Sequence, residues 1–148
     1  MEFNGRVILE GDLKGQAIVS KQGFNILASC QKSVMANKKE VICADQNNAE
    51  LYNKNITGKV LCLPKTIGST TGGMVLQTVA EMGSAPAAML FSEEIDSLAV
   101  SGVLLADIWN GHRIITVDKL GEDFLESVKD GMEIEIQKDG TIILEESK

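Results

Sequence analysis

The chain has 148 residues and a net charge of −7, and 44% of its residues are hydrophobic. This length fits one compact domain, and the composition is that of a globular protein rather than a disordered one. The acidic balance argues against a nucleic acid partner, which would require a clustered basic face. We therefore expect a single domain that spans residues 1–148.

The cysteines and the N-terminus argue against a disulfide-rich, zinc-binding, secreted or membrane-spanning protein. Cys30, Cys43 and Cys62 form no close pair and the chain has one histidine, so neither a disulfide framework nor a self-contained zinc site is expected. Cys43 and Cys62 lie in apolar runs and are expected to be buried. The sequence shows no signal-peptide pattern and no apolar run of membrane-spanning length, which predicts a cytoplasmic protein that binds no membrane.

The first half of the chain predicts short strands separated by polar segments. Residues 21–39 have no clean period and predict a loop with room for a short helix. Residues 45–57 are polar and Asn-rich, and they predict a loop that includes one helical turn. Apolar β-type runs predict strands at residues 6–10, 15–20, 40–44 and 59–63.

The second half of the chain alternates helices with buried strands. Residues 72–82 predict the strongest helix, which ends at Gly83. Residues 93–101 predict a second helix, with Ser92 as its cap and Gly102 as its end. The remaining predicted elements are strands at 86–91, 103–106 and 114–117, a turn at 109–113, a turn or short helix at 121–131, and a hairpin around Asp139-Gly140 from strands at 132–138 and 141–145.

These elements together predict the fold class. A helix between two buried strands, as in residues 59–91, normally connects parallel strands through a right-handed crossover. Many short strands around few helices predict an α/β fold with a mixed sheet, a barrel-like or layered core and a C-terminal β-hairpin. No internal repeat or linker divides the chain.

A glycine-rich loop joins the strand at residues 59–63 to the strongest helix, and its sequence is Gly68-Ser69-Thr70-Thr71-Gly72-Gly73. Glycines let a ligand approach the backbone closely, and the first amides of a helix point at an anion placed there. Ser and Thr are also the usual helix caps, so purely local structure is the alternative interpretation. The nucleotide phosphate loop is excluded because Met74, rather than Lys, follows the last glycine.

Five motifs follow one another between about Gly11 and Asp107. They are Gly15-Gln-Ala-Ile-Val-Ser20, Gly58-Lys-Val-Leu-Cys-Leu-Pro64, Gly68-Ser-Thr-Thr-Gly72, Gly83-Ser-Ala-Pro-Ala-Ala88 and the run from Gly102 to Asp107. In this order they resemble the small, swivel-domain subunit of aconitase X type dehydratases. The glycine loop followed at this spacing by the Gly-x-Ala-Pro-Ala-Ala turn is the most specific part of the resemblance.

The resemblance implies a swivelling β/β/α fold and a hydro-lyase that works as a complex with a larger subunit. The larger subunit would hold an iron-sulfur cluster, and this chain would bind no metal. The loop serine, which is Ser69 here, would be the base that takes a proton from a substrate carbon. The residues that would bind substrate are Gly68, Thr70, Thr71, Gly72, Lys65 and Asp45.

Departures from the family pattern bear on the substrate. Many members have an arginine directly before the loop Gly-Ser, where this chain has Ile67, and the usual aspartate and His-Pro segment is reduced to Asp45-Gln-Asn-Asn. Fewer cations favour a hydroxylated amino acid, cis-3-hydroxy-L-proline, as the substrate. Two alternatives stay open. One is the small subunit of an archaeal-type mevalonate 5-phosphate dehydratase, and the other is a non-catalytic module with a regulatory or small-anion-binding role.

Other chemically interesting residues have simpler interpretations. His112 is expected in a solvated turn, and Glu93-Glu94 are expected as carboxylates at a helix N-terminus. Trp109 is expected in the core or at an interface. An isolated subunit is expected to expose an apolar rim around the glycine loop. Packing roles are expected for Met35, Met74, Met82 and Met89.

Overall fold

A computed structural model of the chain describes residues 1–68 and 71–145. Short strands dominate both ends of the chain, and the longer helices lie in its middle. In chain order the elements are β1 (Glu2–Asn4), β2 (Arg6–Leu9), β3 (Leu13–Val19), β4 (Phe24–Asn25), α1 (Ile26–Met35), β5 (Val60–Leu63), β6 (Thr66–Ile67), α2 (Gly72–Glu81), β7 (Ala88–Phe91), α3 (Ser97–Asn110), β8 (Ile115–Asp118), α4 (Glu122–Ser127), β9 (Glu133–Ile136) and β10 (Thr141–Glu145).

Eight of the described strands form one sheet in the order β1-β10-β9-β3-β5-β7-β8-β2. The consecutive strands β3, β5, β7 and β8 are parallel, and the strands on both sides of them pair antiparallel. The edge strands β1 and β2 are separated in the chain only by Gly5, whose N–H donates to the Gly140 carbonyl at 3.2 Å. The sheet therefore curls into a nearly closed barrel, which confirms the predicted barrel-like mixed sheet and C-terminal hairpin.

Alternating side chains of the parallel strands build two separate cores. In β5, Val60 and Cys62 belong to the core inside the barrel, whereas Leu61 and Leu63 pack in the core beneath the helices. This alternation follows from the two-residue period of a strand. All four side chains are fully buried, so the strand is apolar throughout and has no solvent-facing side.

Three helices cover the outer face of the parallel strands. α1 lies in the connection from β3 to β5, α2 in that from β5 to β7, and α3 in that from β7 to β8. α2 is the middle helix, because it packs against both α1 and α3. The predicted strand-helix-strand unit is confirmed, and the layers are those of a β/β/α fold. Within the described ranges, none of the helices combines the length and apolarity that a membrane crossing needs.

α3 replaces two elements that the sequence predicts. It runs without a break through Gly102, so the predicted helix end at Gly102 and the predicted strand at residues 103–106 are both wrong. A short buried apolar run does not by itself distinguish a strand from a helix. Gly102 does not end α3 but lets it pack closely against α2, because an added Cβ would lie 2.8 Å from the Gly73 carbonyl oxygen on α2.

The two ends of α3 also differ from prediction. Its cap is Asp96 rather than Ser92, so Glu93-Glu94 precede the helix and are not carboxylates of its first turn. The predicted turn at residues 109–113 begins later, because Trp109 belongs to the last turn of α3. Asp96 is the better cap because its carboxylate reaches two N–H groups of the first turn.

The segment between β3 and β5 is more helical and less extended than predicted. The ten-residue helix α1 occupies most of the segment that the sequence predicts as a loop. Residues 40–44 form no strand and contribute only an isolated bridge at Ile42. Backbone and side-chain acceptors share the N–H groups of this segment. The Cys43 N–H donates to the Lys54 carbonyl at 2.9 Å, whereas the Val41 N–H donates to Thr57 Oγ1 at 2.7 Å and the Ile42 N–H donates to Ser33 Oγ at 3.2 Å.

Several large apolar side chains are exposed on the helical side of the molecule. Met35 and Met74 are 78% and 69% exposed, so the predicted packing role is wrong for both, whereas Met89 is buried as expected. Trp109 is 76% exposed, which rules out the core and leaves the interface interpretation. Ile67 on the loop is half exposed, in agreement with the expected apolar rim.

Candidate functional site

The glycine loop lies at the carboxyl end of β5, where the chain passes from the sheet to α2. Pro64 and Lys65 lead into β6, and Gly68 follows with a left-handed φ of +111°. The predicted base Ser69 and its neighbour Thr70 lie outside the described residues. Thr71 is the N-cap residue of α2. The two flanks of the loop are therefore arranged as the sequence predicts, with a strand before it and a helix after it.

Three helices begin around this loop. α1 begins at Ile26, α2 at Gly72 and α3 at Ser97. β6 pairs in parallel with β4, which directly precedes α1, and this pairing brings the start of α1 beside the loop. A pocket of about 140 Å³ opens between the three helix starts and is lined by Ile26 of α1, Gly72 and Gly73 of α2, and Leu98 and Ala99 of α3, together with the loop.

Asn25 connects the start of α1 to the loop. Its Oδ1 accepts a hydrogen bond from the Ala28 N–H at 3.0 Å and thereby caps the helix. The same side chain lies against Gly68, where an added Cβ would be only 2.7 Å from Oδ1. Position 68 therefore requires glycine for two reasons, its positive φ and the proximity of the Asn25 amide.

Asp96 connects the start of α3 to the loop. One carboxylate oxygen accepts the N–H groups of Leu98 and Ala99, each at 3.1 Å. The other oxygen accepts a hydrogen bond from the Thr66 hydroxyl on β6. Asp96 thus caps one helix and anchors the strand that leads into the loop.

The segment that carries Asp96 is itself fixed to the end of β8. Asp118 is fully buried, and Arg6 donates to its two carboxylate oxygens at 2.9 and 2.7 Å. The Ile95 N–H donates to the same carboxylate at 2.9 Å. A buried carboxylate is tolerated only when it is paired and hydrogen-bonded, and here three donors satisfy it. The result is a continuous chain of contacts from the barrel edge to the loop.

The start of α2 differs from the other two in its N-cap residue, whose side chain does not cap the helix in the way that Asn25 caps α1 and Asp96 caps α3. Thr71 makes no side-chain capping hydrogen bond to the helix. The first amides of a helix have no acceptors within the helix and form the positive end of its dipole. Gly72 and Gly73 carry no side chains that would cover these amides, and a Cβ on Gly73 would lie 2.7 Å from the Leu98 carbonyl oxygen. An anion site at the start of α2 stays a prediction, and the two glycines are compatible with it.

Comparison with known proteins assigns the family. The chain matches the family model of the aconitase X swivel domain over residues 2–144. The chain belongs to this family. This swivel domain is 32% identical to the phosphomevalonate dehydratase small subunit of Methanocella arvoryzae, with 95% of each chain covered. It is also 32% identical to the protein of the same name from Methanothermobacter thermautotrophicus, with 94% of this chain and 95% of the relative covered.

A solved structure agrees with the fold described above. The holo form of Thermococcus kodakaraensis aconitase X superposes on the swivel domain with a TM-score of 0.81. The two chains are 24% identical, and 99% of each is covered. The predicted swivel fold is therefore confirmed, and so is the resemblance that the sequence motifs indicated.

The charge around the pocket is the reverse of what an anion site usually has. Among the described residues that line it, Asp96 is charged and none is a cation. Lys65 is exposed and is not among those residues, although its carbonyl accepts the Phe24 N–H at 2.8 Å and so joins the loop to β4. Within the described part of the swivel domain, an anion at α2 would therefore meet helix amides without a neutralising side chain.

Asp45, another predicted substrate-binding residue, occupies a local turn. Its Oδ1 accepts the Asn47 N–H at 3.0 Å, and its carbonyl accepts the Asn48 N–H at 3.1 Å. This is the usual way in which an aspartate stabilises a turn. Asp45 is buried and does not belong to the pocket between the helix starts. Its substrate contact stays a prediction.

The sequence motifs did not indicate three residues that hold the loop: Asn25, Thr66 and Asp96. A signal existed for two of them, because Asn25 and Asp96 each directly precede an apolar helical run, as capping residues do. No comparable signal exists for Thr66, because its partner Asp96 is 30 residues away in the sequence.

The thiols of this chain do not fit an iron-sulfur cluster. Cys30, Cys43 and Cys62 are all buried. Burial raises the pKa of the Cys30 thiol to about 12 and that of the Cys62 thiol further still, so both stay protonated at neutral pH, whereas a cluster ligand must be a thiolate. Across the described residues, no group of three His, Cys, Asp or Glu side chains converges on a point where a metal would fit.

Proposed function

We propose that this swivel domain is the small subunit of an aconitase X type dehydratase and removes water from a hydroxy acid together with a large subunit. The observation that carries the proposal is the 32% identity, over 95% of both chains, to the phosphomevalonate dehydratase small subunit of Methanocella arvoryzae. The pocket supports it as well. At about 140 Å³ it is smaller than ordinary ligand sites of about 300–1,000 Å³, which is in keeping with a site that the large subunit completes.

Ser69 is the general base in this proposal. In the sequence it stands between Gly68 and the cap of α2, where a hydroxyl oxygen would be near the positive end of the helix dipole. A serine hydroxyl is too weakly acidic to lose its proton in water. Exclusion of water by the large subunit, together with the helix amides, would stabilise the alkoxide.

In the proposed reaction, Ser69 acts first. Ser69 takes the proton from the substrate carbon adjacent to the one that bears the hydroxyl. The electron pair of that C–H bond becomes the new double bond, and the hydroxyl leaves towards the large subunit. The thiols of this chain fit no iron-sulfur cluster, so the proposal assigns the cluster to the large subunit.

The remaining loop residues bind the substrate in this proposal. The amides at Gly68 and Gly72 and the hydroxyls of Thr70 and Thr71 would hold the substrate carboxylate by hydrogen bonds, because a helix start favours a negative group. Lys65 is the nearest cation in the sequence and would contribute long-range attraction. Asn25 and Asp96 position this loop without contacting the substrate.

We propose mevalonate 5-phosphate as the substrate, because the two relatives described above are named for phosphomevalonate. The departures at Ile67 and Asp45, which favour cis-3-hydroxy-L-proline, keep that compound as the second candidate. One structural observation supports it: the described pocket lining carries a carboxylate and no cation. With the phosphorylated substrate, the large subunit would have to supply the cations for the phosphate.

The test is to co-purify the chain with the large subunit of the same organism under anaerobic conditions and to assay dehydration of both compounds. We expect turnover of mevalonate 5-phosphate by the pair and by neither subunit alone. Ser69→Ala should lower the rate about a thousandfold, because it removes the base. The measurement is product formation by mass spectrometry.

Ser127→Ala is the matched control, because Ser127 lies on α4, outside the residues that line the pocket, and its hydroxyl donates to the Asp123 carbonyl of the same helix at 2.7 Å. It should leave the rate unchanged. Turnover of cis-3-hydroxy-L-proline alone would select the second candidate. If a stable complex dehydrated neither compound and still bound inorganic phosphate through the loop, the non-catalytic interpretation would replace the enzymatic one.

A further inference from the structure

The outer face of α3 carries an exposed apolar strip with no charge. We define the α3 strip as Leu98, Ser101, Leu105, Ile108 and Trp109. Leu98, Ser101, Leu105 and Ile108 are spaced by three and four residues, and Trp109 follows Leu105 by four, so the five positions lie on one side of the helix. Ile108 and Trp109 are 71% and 76% exposed, and Leu98 and Leu105 are also exposed.

The α3 strip is set apart from an otherwise acidic molecule. The chain has a net charge of −7, yet Asp107 is the one charged residue of α3, and Arg113 neutralises it through bonds of 2.9 and 3.0 Å. It is energetically unfavourable to expose the side chains of a Trp and a neighbouring Ile to water to this extent. An uncharged apolar surface with an aromatic residue is typical of the buried centre of a protein interface.

The strip is continuous with the candidate site. Leu98, its first residue, lines the pocket together with Ile67 of the loop. Gly73 of α2 touches the Leu98 backbone, so the start of the strip lies against the start of α2. From Leu98 to Trp109 the strip extends about 16 Å along the helix, since each residue adds 1.5 Å. A protein that covers the loop would therefore also cover this face.

We propose that the α3 strip is the docking surface for the large subunit, with Trp109 and Ile108 as its anchors. The inference rests on the proposed function, in which a large subunit must seal the loop from water. A second copy of this chain is the less suitable occupant. It would lie beside the pocket and obstruct the approach of the subunit that completes the site.

The test compares two variants that differ in the location and the number of the new charges. The double variant Ile108→Glu, Trp109→Glu places charge on the strip, and Met35→Glu places it on an equally exposed residue of α1. All three side chains are mostly exposed, so the isolated variants should keep wild-type circular dichroism and urea midpoints. Binding to immobilised large subunit is then measured by biolayer interferometry.

We expect the double variant to weaken binding at least thirtyfold, the usual effect of losing interface anchors, and Met35→Glu to change it less than twofold. At saturating concentration the double variant should recover most of the wild-type turnover, because the loop is intact. Wild-type affinity in the double variant would overturn the inference. So would a homodimer of the isolated chain that the double variant splits while the complex with the large subunit still forms.

Failure of the inference and failure of the proposed function give different results. If the wild-type chain forms no complex with the large subunit, both are wrong. If the complex forms and dehydrates its substrate while the double variant binds normally, the function stands and the docking surface lies elsewhere.

Discussion

The hairpin turn at Gly140 and the loop at Gly68 both use a glycine with a positive φ, yet the aspartate that stabilises each of them accepts its hydrogen bond from a very different distance along the chain. At the hairpin, the Asp139 carboxylate accepts the Thr141 N–H, two residues away. At the loop, the Thr66 hydroxyl donates to Asp96, 30 residues away. The hairpin turn therefore has a closing bond within its own residues, in addition to the remote contact between Gly5 and Gly140, whereas the bond that anchors the strand before the loop forms only when α3 has packed.

The two turns also differ in what they leave open to a ligand. Gly140 faces backbone, because an added Cβ would lie 2.7 Å from the Gly5 carbonyl oxygen. Gly68 faces the amide end of the Asn25 side chain at the same distance, and a pocket opens beside it. In the turn that only joins two strands, the glycine packs tightly against backbone atoms. A turn that serves a site is held by side chains around an opening, and this difference is what the following predictions test.

The largest expected effect on stability separates the two glycines. Gly140→Ala should lower the free energy of unfolding by about 3 kcal/mol, because a positive φ is strained and the carbonyl of Gly5 cannot move far. Gly68→Ala should cost about 1–2 kcal/mol, because the Asn25 side chain can shift aside. The measurement is urea unfolding followed by circular dichroism.

For the loss of dehydration rate, we expect the opposite order of the same two variants. Gly68→Ala should lower dehydration by the reconstituted complex at least tenfold, since it displaces the loop that carries Ser69. Gly140→Ala should leave the rate unchanged at temperatures where it is folded. Equal stability losses with equal activities would show that the two turns do not differ in the way proposed.

A smaller effect is expected from the two aspartates. Asp96→Ala removes the cap of α3 and should cost about 1 kcal/mol of stability. It should also lower the dehydration rate about tenfold, because Thr66 and the loop lose their anchor. Asp139→Ala should leave the rate unchanged. The comparison is made by urea unfolding and by turnover of the complex at saturating substrate.

Asp96→Asn shows whether Asp96 acts through position or through charge. An asparagine still offers an oxygen that caps the helix, so stability and most of the activity should return if Asp96 is a positioning residue. If Asp96→Asn is as inactive as Asp96→Ala while its unfolding free energy is normal, the negative charge itself takes part in the chemistry.

The contrast between the two turns also explains how much of the fold the sequence could predict. The hairpin and the unit β5–α2–β7 were predictable, because Asp139-Gly140 and the glycines around α2 determine the structure of residues close to them in the sequence. The length of α3 was not predictable, because Gly102 looks like a helix end. Its packing on Gly73, far away in the sequence, is what makes it part of the helix interior.

The candidate site was also predictable only in part. The loop motif and its position before α2 could be identified from adjacent residues and from the family resemblance. The supporting residues Asn25 and Asp96 could not be assigned to the loop, because their contacts form between elements that are remote in sequence. The pairing of β4 with β6, which brings α1 beside the loop, involves only two residues in each strand and leaves no pattern in the sequence.

The smallest expected effect is a pH dependence that belongs to the hairpin turn. Hydrogen bonds from the Thr141 hydroxyl, and then from its backbone N–H, lower the pKa of Asp139 below its ordinary value. A carboxylate with a lowered pKa in the folded state stabilises the protein above its ordinary pKa of about 3.9, and this contribution is lost as the pH falls through the lowered value. Because Asp139 is exposed, the contribution is small.

Asp139→Asn isolates this contribution, since the amide oxygen still accepts the Thr141 N–H but carries no charge. At pH 7 the wild-type urea midpoint should be slightly above that of the variant, and the difference should shrink towards zero as the pH falls from about 5 to 2. Turnover of the complex at pH 7 should be the same for both. A difference that grew at low pH would mean that Asp139 is destabilised as a carboxylate, which would contradict a turn closed by its own residues.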